Sequence, residues 1–288
     1  MLTKNNKWFL FIMLSLIWGS SFILIKRGLV GLTPFQLGSL RIIFASLFLL
    51  IIAFKSLASI PKNKWKYIAL TAISGILLPV YLFSFAQMGI SSSVSGILNS
   101  LTPLYTLLLG ALAFGLVFKK NQIFGVLLGL TGCLMLVLNS DSADANQNYF
   151  YALFVVAATF CYALNVNLVK RYLSEVSPLS IITGNFVILL IPAVVVLCCT
   201  DFFSVVQKPE TLHSIWFIVI LGIIGTGIAN LIYYKLIQIS SPLFASSVTY
   251  VIPIVAFAWG LLDGEMLTPF QFLGAFVILT GVYMASKK

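Results

Sequence analysis

Charge is what this sequence has least of. Only 8% of its 288 residues are Asp, Glu, Lys or Arg, seven residues are acidic, one is histidine and four are cysteine. Each scarcity excludes something. A soluble domain carries roughly a quarter charged residues and under half apolar ones. A chain that is 60% hydrophobic, with a mean hydropathy of +1.09, could not cover its surface in water. The single His213 has no second ligand near it, which argues against a histidine metal site or triad. No two acids share an apolar run, so paired carboxylates for acid–base work inside the oily segments are not expected. Cys133, Cys161, Cys198 and Cys199 all stand in apolar runs without thiol-ligand spacing and read as small hydrophobes. No GxxxxGK[ST] stretch is present for nucleotide drive. The expectation is a protein that is not an enzyme and takes no cofactor or metal.

Long apolar runs are what the sequence has in abundance. A bilayer-crossing helix needs about 20 mainly apolar residues, and ten runs of that order are separated by charge, Pro or Gly clusters. They cover 8–25, 35–54, 67–88, 94–118, 123–138, 149–169, 179–199, 215–237, 243–262 and 270–285. A membrane barrel would show shorter segments alternating in polarity, whereas helices satisfy their own backbone groups in lipid. The first run follows Lys4 and Lys7 but has no small-x-small cleavage site, so it reads as a retained span. The expected fold is an all-α integral membrane protein with ten transmembrane helices. In the fifth run, Gly125 and Gly129 stand at the GxxxG spacing of close helix contacts.

The net charge of +10 invites a nucleic-acid partner only if basic residues gather on one face. Twelve of the 17 instead fall in the segments on the N-terminal side of the membrane. Lys26, Arg27 and Lys208 fall on the other side, and Arg41 and Lys235 lie within runs. By the positive-inside rule both termini are cytoplasmic. The expected partners are the lipid bilayer and a small-molecule substrate, not nucleic acid, with monomer and homodimer both open.

The chain also repeats itself. A slide of 144 residues places Trp18 on Tyr162, Lys26-Arg27 on Lys170-Arg171, Pro34 on Pro178 and Arg41 on Asn185. A slide of 149 or 150 matches Ile90-Ser91 with Ile239-Ser240, Pro103 with Pro253, Gln122 with Gln271 and Gly132 with Gly281. This divides the chain into a first repeat at 1–138, a polar linker at 139–148 and a second repeat at 149–288. Five spans per copy is an odd number, so the copies enter the membrane from opposite sides. Inverted repeats of this kind place a solute site near the midplane between them.

The stretches LIWGSSFILIKRGL from Leu16, LGSLRIIFASLFLL from Leu37 and SSVSGILNSLTPLYTLLLGAL from Ser92 carry a family resemblance, as does the second-half segment beginning at Ser240. Together they resemble the drug/metabolite transporter superfamily, in particular its EamA-type ten-helix members. The resemblance covers nearly the whole chain. It implies two EamA repeats, a bacterial inner-membrane location, and movement of small metabolites such as amino acids, with export favoured over uptake. The family's Gly-Glu pair closing the fourth helix of each repeat is present as Gly264-Glu265 but is Gly115-Leu116 in the first copy, so a symmetric role for the acid is not expected.

Polar groups within spans are costly and tend to face the bundle or a wet cavity. Arg41 reads either as an anion anchor or gating ion pair, or as a side chain snorkelling to headgroups or bracing helices. Lys235 reads as snorkelling. Pro103 and Pro253 occupy matching places in the fourth and ninth runs, where a missing backbone donor gives a kink that a gate could use. Asn99 precedes the first proline by four residues and Tyr250 the second by three. Tyr162 and Asn165 share a helix face, with Trp18 and Ser21 as their first-half counterparts, and Tyr81 aligns with Asn230. Trp18, Tyr81, Asn99, Tyr162, Asn165, Asn230 and Tyr250 are therefore the expected substrate-binding set, and Arg41, Pro103, Pro253 and Glu265 the gating or structural set. Such a surface suits an amphipathic or zwitterionic solute. The leading expectation is a secondary transporter working by alternating access, without strong proton coupling because no acid lies in a span. The competing class is an intramembrane enzyme or lipid-handling protein.

Overall fold

A computed structural model of the chain describes residues 5–90, 92–138, 148–262 and 269–286. Most of the linker and Glu265 lie outside the described residues. Every regular element among them is helical. The first half contributes α1 (Asn5–Gly28), α2 (Pro34–Ala53), α3 (Trp65–Ala72), α4 (Leu78–Ala86), α5 (Ser92–Asn99), α6 (Thr102–Leu112) and α7 (Lys120–Leu138). The second contributes α8 (Ala152–Tyr172), α9 (Pro178–Cys198), the short α10 (Phe202–Val205), α11 (Pro209–Ile220), α12 (Ala229–Ile239), α13 (Pro242–Ser246), α14 (Val248–Leu262) and α15 (Pro269–Ser286). Seven helices among the described residues are long and apolar enough to cross a membrane, and two shorter apolar helices accompany them.

Local chemistry explains where helices begin. Thr33-Pro34, Ser177-Pro178 and Ser241-Pro242 each place a hydroxyl cap before a proline in the first turn, where the missing N–H costs nothing. At Thr33 the cap is reciprocal, because the Gln36 side chain accepts from the Thr33 N–H at 2.9 Å. Outward faces are as apolar as the interior. Ile51 is 83% exposed and Trp216 69%, a surface for acyl chains and not for water.

Three of the long runs are not simple helices. Between α3 and α4, residues Ile73–Leu77 form a wide π-helical turn, and Leu221–Ile228 do the same between α11 and α12. The fourth run breaks after Asn99, whose carbonyl accepts from Thr102 Oγ1 at 2.8 Å. Pro103 is then in the first turn of a new helix, α6. That run also ends early: beyond α6 the chain turns through Gly115, whose φ of +63° favours glycine. Pro253 does lie inside a helix, α14.

Helices α7 and α15 pack backbone to backbone. A Cβ on Gly125 would lie 2.6 Å from the Gly281 carbonyl oxygen, and one on Gly132 would lie 2.8 Å from that of Gly274. Two glycine faces thus let the backbones touch, as the GxxxG spacing suggests. At the centre, α2 and α9 cross, and Ser46 Oγ donates to the Phe186 carbonyl at 3.0 Å.

Candidate functional site

Beside the C-terminal half of α1, helices from both halves leave a partly open cavity of about 40 Å³. Helix α1 supplies Trp18, Ser21, Phe22 and Ile25, one face at helical spacing. Arg41 comes from α2, Phe83 from α4, Asn99 from α5, Tyr162 from α8 and Tyr233 from α12. Thr102, Thr249 and Ile252 complete the lining. The walls are largely aromatic. Trp18 meets Tyr233 edge-on with centroids 4.9 Å apart, and Phe83 stacks on Tyr162 at 5.9 Å.

The π turn at Leu221–Ile228 stands behind the lining and bonds to two of its side chains. Its widened geometry lets Thr226 Oγ1 donate to the Leu221 carbonyl five residues back, at 2.9 Å. It also presents the Gly225 carbonyl to Trp18, whose Nε1 donates to it at 3.1 Å. Gly222 brings α2 close, since a Cβ there would sit 3.0 Å from the Arg41 carbonyl oxygen. Arg41 Nε donates to Thr226 Oγ1. The Arg41 side chain is buried, at 7% exposure, so it does not snorkel to headgroups.

Trp18, Arg41, Asn99 and Tyr162 meet at this cavity, while the other anticipated residues stand elsewhere. Asn165 is packed against Gly75 of the first π turn and donates to the Thr71 carbonyl at 3.0 Å and to Tyr234 Oη at 3.2 Å. Tyr234 in turn donates to Asn185 Oδ1, and Asn185 Nδ2 donates to the Ile68 carbonyl, both at 2.9 Å. This is a closed polar cluster in the core. Asn230 bonds its own helix at Thr226 O, 2.8 Å away. Tyr81 lies on Gly38 and shares a hydrogen bond with Ser39. Tyr250 lies over Gly129 and donates to the Val126 carbonyl at 2.8 Å. Pro103 and Pro253 are not at the cavity wall, and Glu265 lies outside the described residues. Sequence reasoning missed Tyr233, Phe83 and Thr249, and with them Phe22, Ile25, Thr102 and Ile252. Tyr233 had a signal, standing one turn beyond Asn230.

The two ends of the bundle differ. At the end carrying Lys64, the Lys170 ammonium donates to the carbonyls of Ile237, Gln238 and Ser240 at 3.1, 3.3 and 2.7 Å. Gln238 Nε2 donates to Leu173 O and Val176 O at 3.2 and 2.7 Å, and Lys64 to Tyr172 O at 2.9 Å. At the opposite end a broad depression opens between the α1–α2 loop, Gln87-Met88 and the segment from Asp201 to Thr211. Lys26 is exposed on that end.

The model of the EamA-like transporter family matches the chain twice, at residues 6–138 and 149–287. An Archaeoglobus fulgidus protein named only as a transporter is 26% identical over 288 residues, covering 98% of this chain and 99% of its own length. An Escherichia coli protein named as a probable amino-acid metabolite efflux pump is 25% identical, covering 93% and 90%. The E. coli inner membrane transporter YedA is also 25% identical, covering 95% and 88%. A crystal structure at 17% identity shares the fold, with a TM-score of 0.74 over 99% of this chain and 97% of its own. An aromatic cavity between two family-matching halves of an apolar helical bundle belongs with those matches: the chain is a member of the EamA-like transporter family, a multi-pass membrane transporter.

Proposed function

We propose that the protein is a secondary transporter that exports small amphipathic metabolites, amino acids or close relatives, across the inner membrane by alternating access. The observation that carries this reading is the cavity itself, shared by α1, α2, α4, α5, α6, α8, α12 and α14 and walled by Trp18, Tyr162 and Tyr233. The E. coli relative's printed name supports the solute class and the direction. Two family matches and a π turn in each half support a reading as two inverted five-helix repeats split by a linker at 139–148. Basic-residue counting assigns the Lys64–Lys170 end to the cytoplasm. The structure is then closed inward by the Lys170 and Gln238 bonds, with its broad depression facing outward. Trp18, Arg41, Asn99 and Tyr162 form the binding set, and the Asn165–Tyr234–Asn185 cluster seals the inner side.

Purified protein in liposomes loaded with labelled amino acids and related metabolites should release some of them faster than empty liposomes. Absence of flux across the whole panel would refute the transporter mechanism. Trp18→Ala removes an edge-on aromatic contact and one hydrogen bond, and should lower flux about tenfold while the protein remains folded. Because the one acid in a described span, Glu210, stands in the first turn at its end, an imposed pH gradient alone should not drive accumulation. Uptake against a concentration gradient under that condition would overturn the expectation of weak coupling.

A further inference from the structure

Arg41 is, among the described residues, a buried cation without a counter-ion. Among the described residues the one ion pair is Lys64–Glu175, at 3.9 Å and remote from the cavity. No acid among the described residues lines the cavity, and Arg41 is the one formal charge there. Its one hydrogen bond among the described residues runs from Nε to Thr226 Oγ1, which leaves two terminal nitrogens as donors at a cavity that Arg41 lines. A buried charge is costly unless paired and hydrogen-bonded. A guanidinium held at Nε presents a planar fork that matches a carboxylate. The partner it lacks is therefore an anion delivered by the solute.

The rest of the lining limits that anion. One cation balances one negative charge, and no second basic group lines the wall, so a dianion would bury an unpaired charge. Around the fork stand the rings of Trp18, Phe83, Tyr162 and Tyr233, which accommodate an apolar or aromatic body. Asn99 supplies an amide able to meet a second polar group. The sequence position that slides onto Arg41 in the second half is Asn185, which is absorbed in the core cluster with Tyr234. The cavity thus has one charged pole and not two, and the ammonium of a zwitterion would be met by the Asn99 amide oxygen and the aromatic ring faces.

Resting on the transporter reading, we infer that Arg41 and the aromatic walls form a site for monocarboxylates with an apolar or aromatic body, zwitterionic amino acids included, and that amides and dicarboxylates are rejected. Four probes sort the possibilities in thermal-shift binding on detergent-purified protein: 3-phenylpropanoate, L-phenylalanine, L-phenylalaninamide and benzylmalonate. The two monocarboxylates should raise the melting temperature at millimolar concentration, and the amide and the dianion should not. Arg41→Gln should weaken monocarboxylate binding about tenfold or more, the loss of a charge-assisted contact. Arg41→Lys, with charge but no fork, should keep part of it. If Arg41→Gln does not fold, the wild-type order of the four probes still decides. Equal binding of amide and acid, binding of benzylmalonate as tight as that of 3-phenylpropanoate, or no response to either monocarboxylate would overturn the assignment. Loss of melting temperature in Arg41→Gln with probe selectivity unchanged would overturn it too, leaving a bracing role. Flux of amines or amides in liposomes beside any of these results would leave the transporter reading standing.

Discussion

Valine in place of Gly281 should keep α7 and α15 from meeting and leave little monodisperse protein after detergent extraction. A Cβ at this position would lie 2.5 Å from the Gly129 nitrogen, 2.7 Å from the Gly125 carbonyl oxygen and 2.9 Å from Gly129 Cα. Overpacking usually costs about 1–3 kcal/mol because neighbouring side chains shift. Here the obstacles are main-chain atoms, and relief requires one helix to move away from the other. Spanning helices gain no hydrophobic driving force from each other in lipid, so close packing carries much of their association. Separation along Gly125, Gly129 and Gly132 would therefore remove most of what holds this pair. It would also disturb Tyr250, whose ring lies over Gly129 and whose hydroxyl bonds Val126 O. Size-exclusion chromatography and thermal unfolding in detergent read the result. Gly96→Ala is the control, since its Cβ would meet nothing nearer than Ile252 Cγ2 at 3.6 Å. A helical Gly→Ala change recovers about 0.5–1 kcal/mol where space allows. A Gly281→Val protein melting at the Gly96→Ala temperature would refute the backbone-contact account.

The helical, membrane-spanning character was legible because apolar runs of about 20 residues have few other solutions. That α7 makes a close helix contact was legible for a related reason, because small residues in Gly125-x-x-x-Gly129 have little use except close approach, but nothing in that spacing named α15 as the partner. Trp18 and Tyr162 could be placed at one cavity through the 144-residue offset between them. The offset misled one turn later. Ser21 remains at the cavity and donates to Ile17 O, whereas Asn165, its counterpart, is long enough to reach Thr71 O and Tyr234 across the Gly75 gap. Side-chain length, not repeat position, decided the difference. Tyr81 and Asn230 were chosen because they align between the halves, and an alignment fixes no helix face: Phe83 and Tyr233, two and three residues on in the same helices, occupy the wall, while Tyr81 bonds Ser39 and Asn230 bonds Thr226 O. Tyr250 was illegible for another reason, because the hollow it fills is made by Gly129 of a distant helix.

Lys170→Ala should unlatch the Lys64–Lys170 end and expose core residues to that side. The C-terminal turn of a helix leaves carbonyls without intrahelical partners. Those of α12 at Ile237, Gln238 and Ser240 converge on one ammonium from the last turn of α8. A hydrogen bond to a charged group contributes about 1.5–3 kcal/mol net, so losing this cluster should favour the unlatched form by about tenfold or more. Gln238 alone would then tie α12 to the α8–α9 loop through Leu173 O and Val176 O. A reporter cysteine at Leu236, which is fully buried one residue before the latch, measures the opening. The native Cys133, Cys161, Cys198 and Cys199 are first replaced to remove background. Labelling of Leu236→Cys by a membrane-impermeant maleimide should accelerate about tenfold in the Lys170→Ala background. The faster reaction should be confined to inside-out vesicles, which present the cytoplasmic face. Lys170→Arg keeps a cation in reach of the same carbonyls and should label near the parental rate. Equal labelling in the alanine and parental proteins would show that Lys170 does not hold this end shut, and faster labelling from the opposite side would reverse the orientation assigned to the bundle.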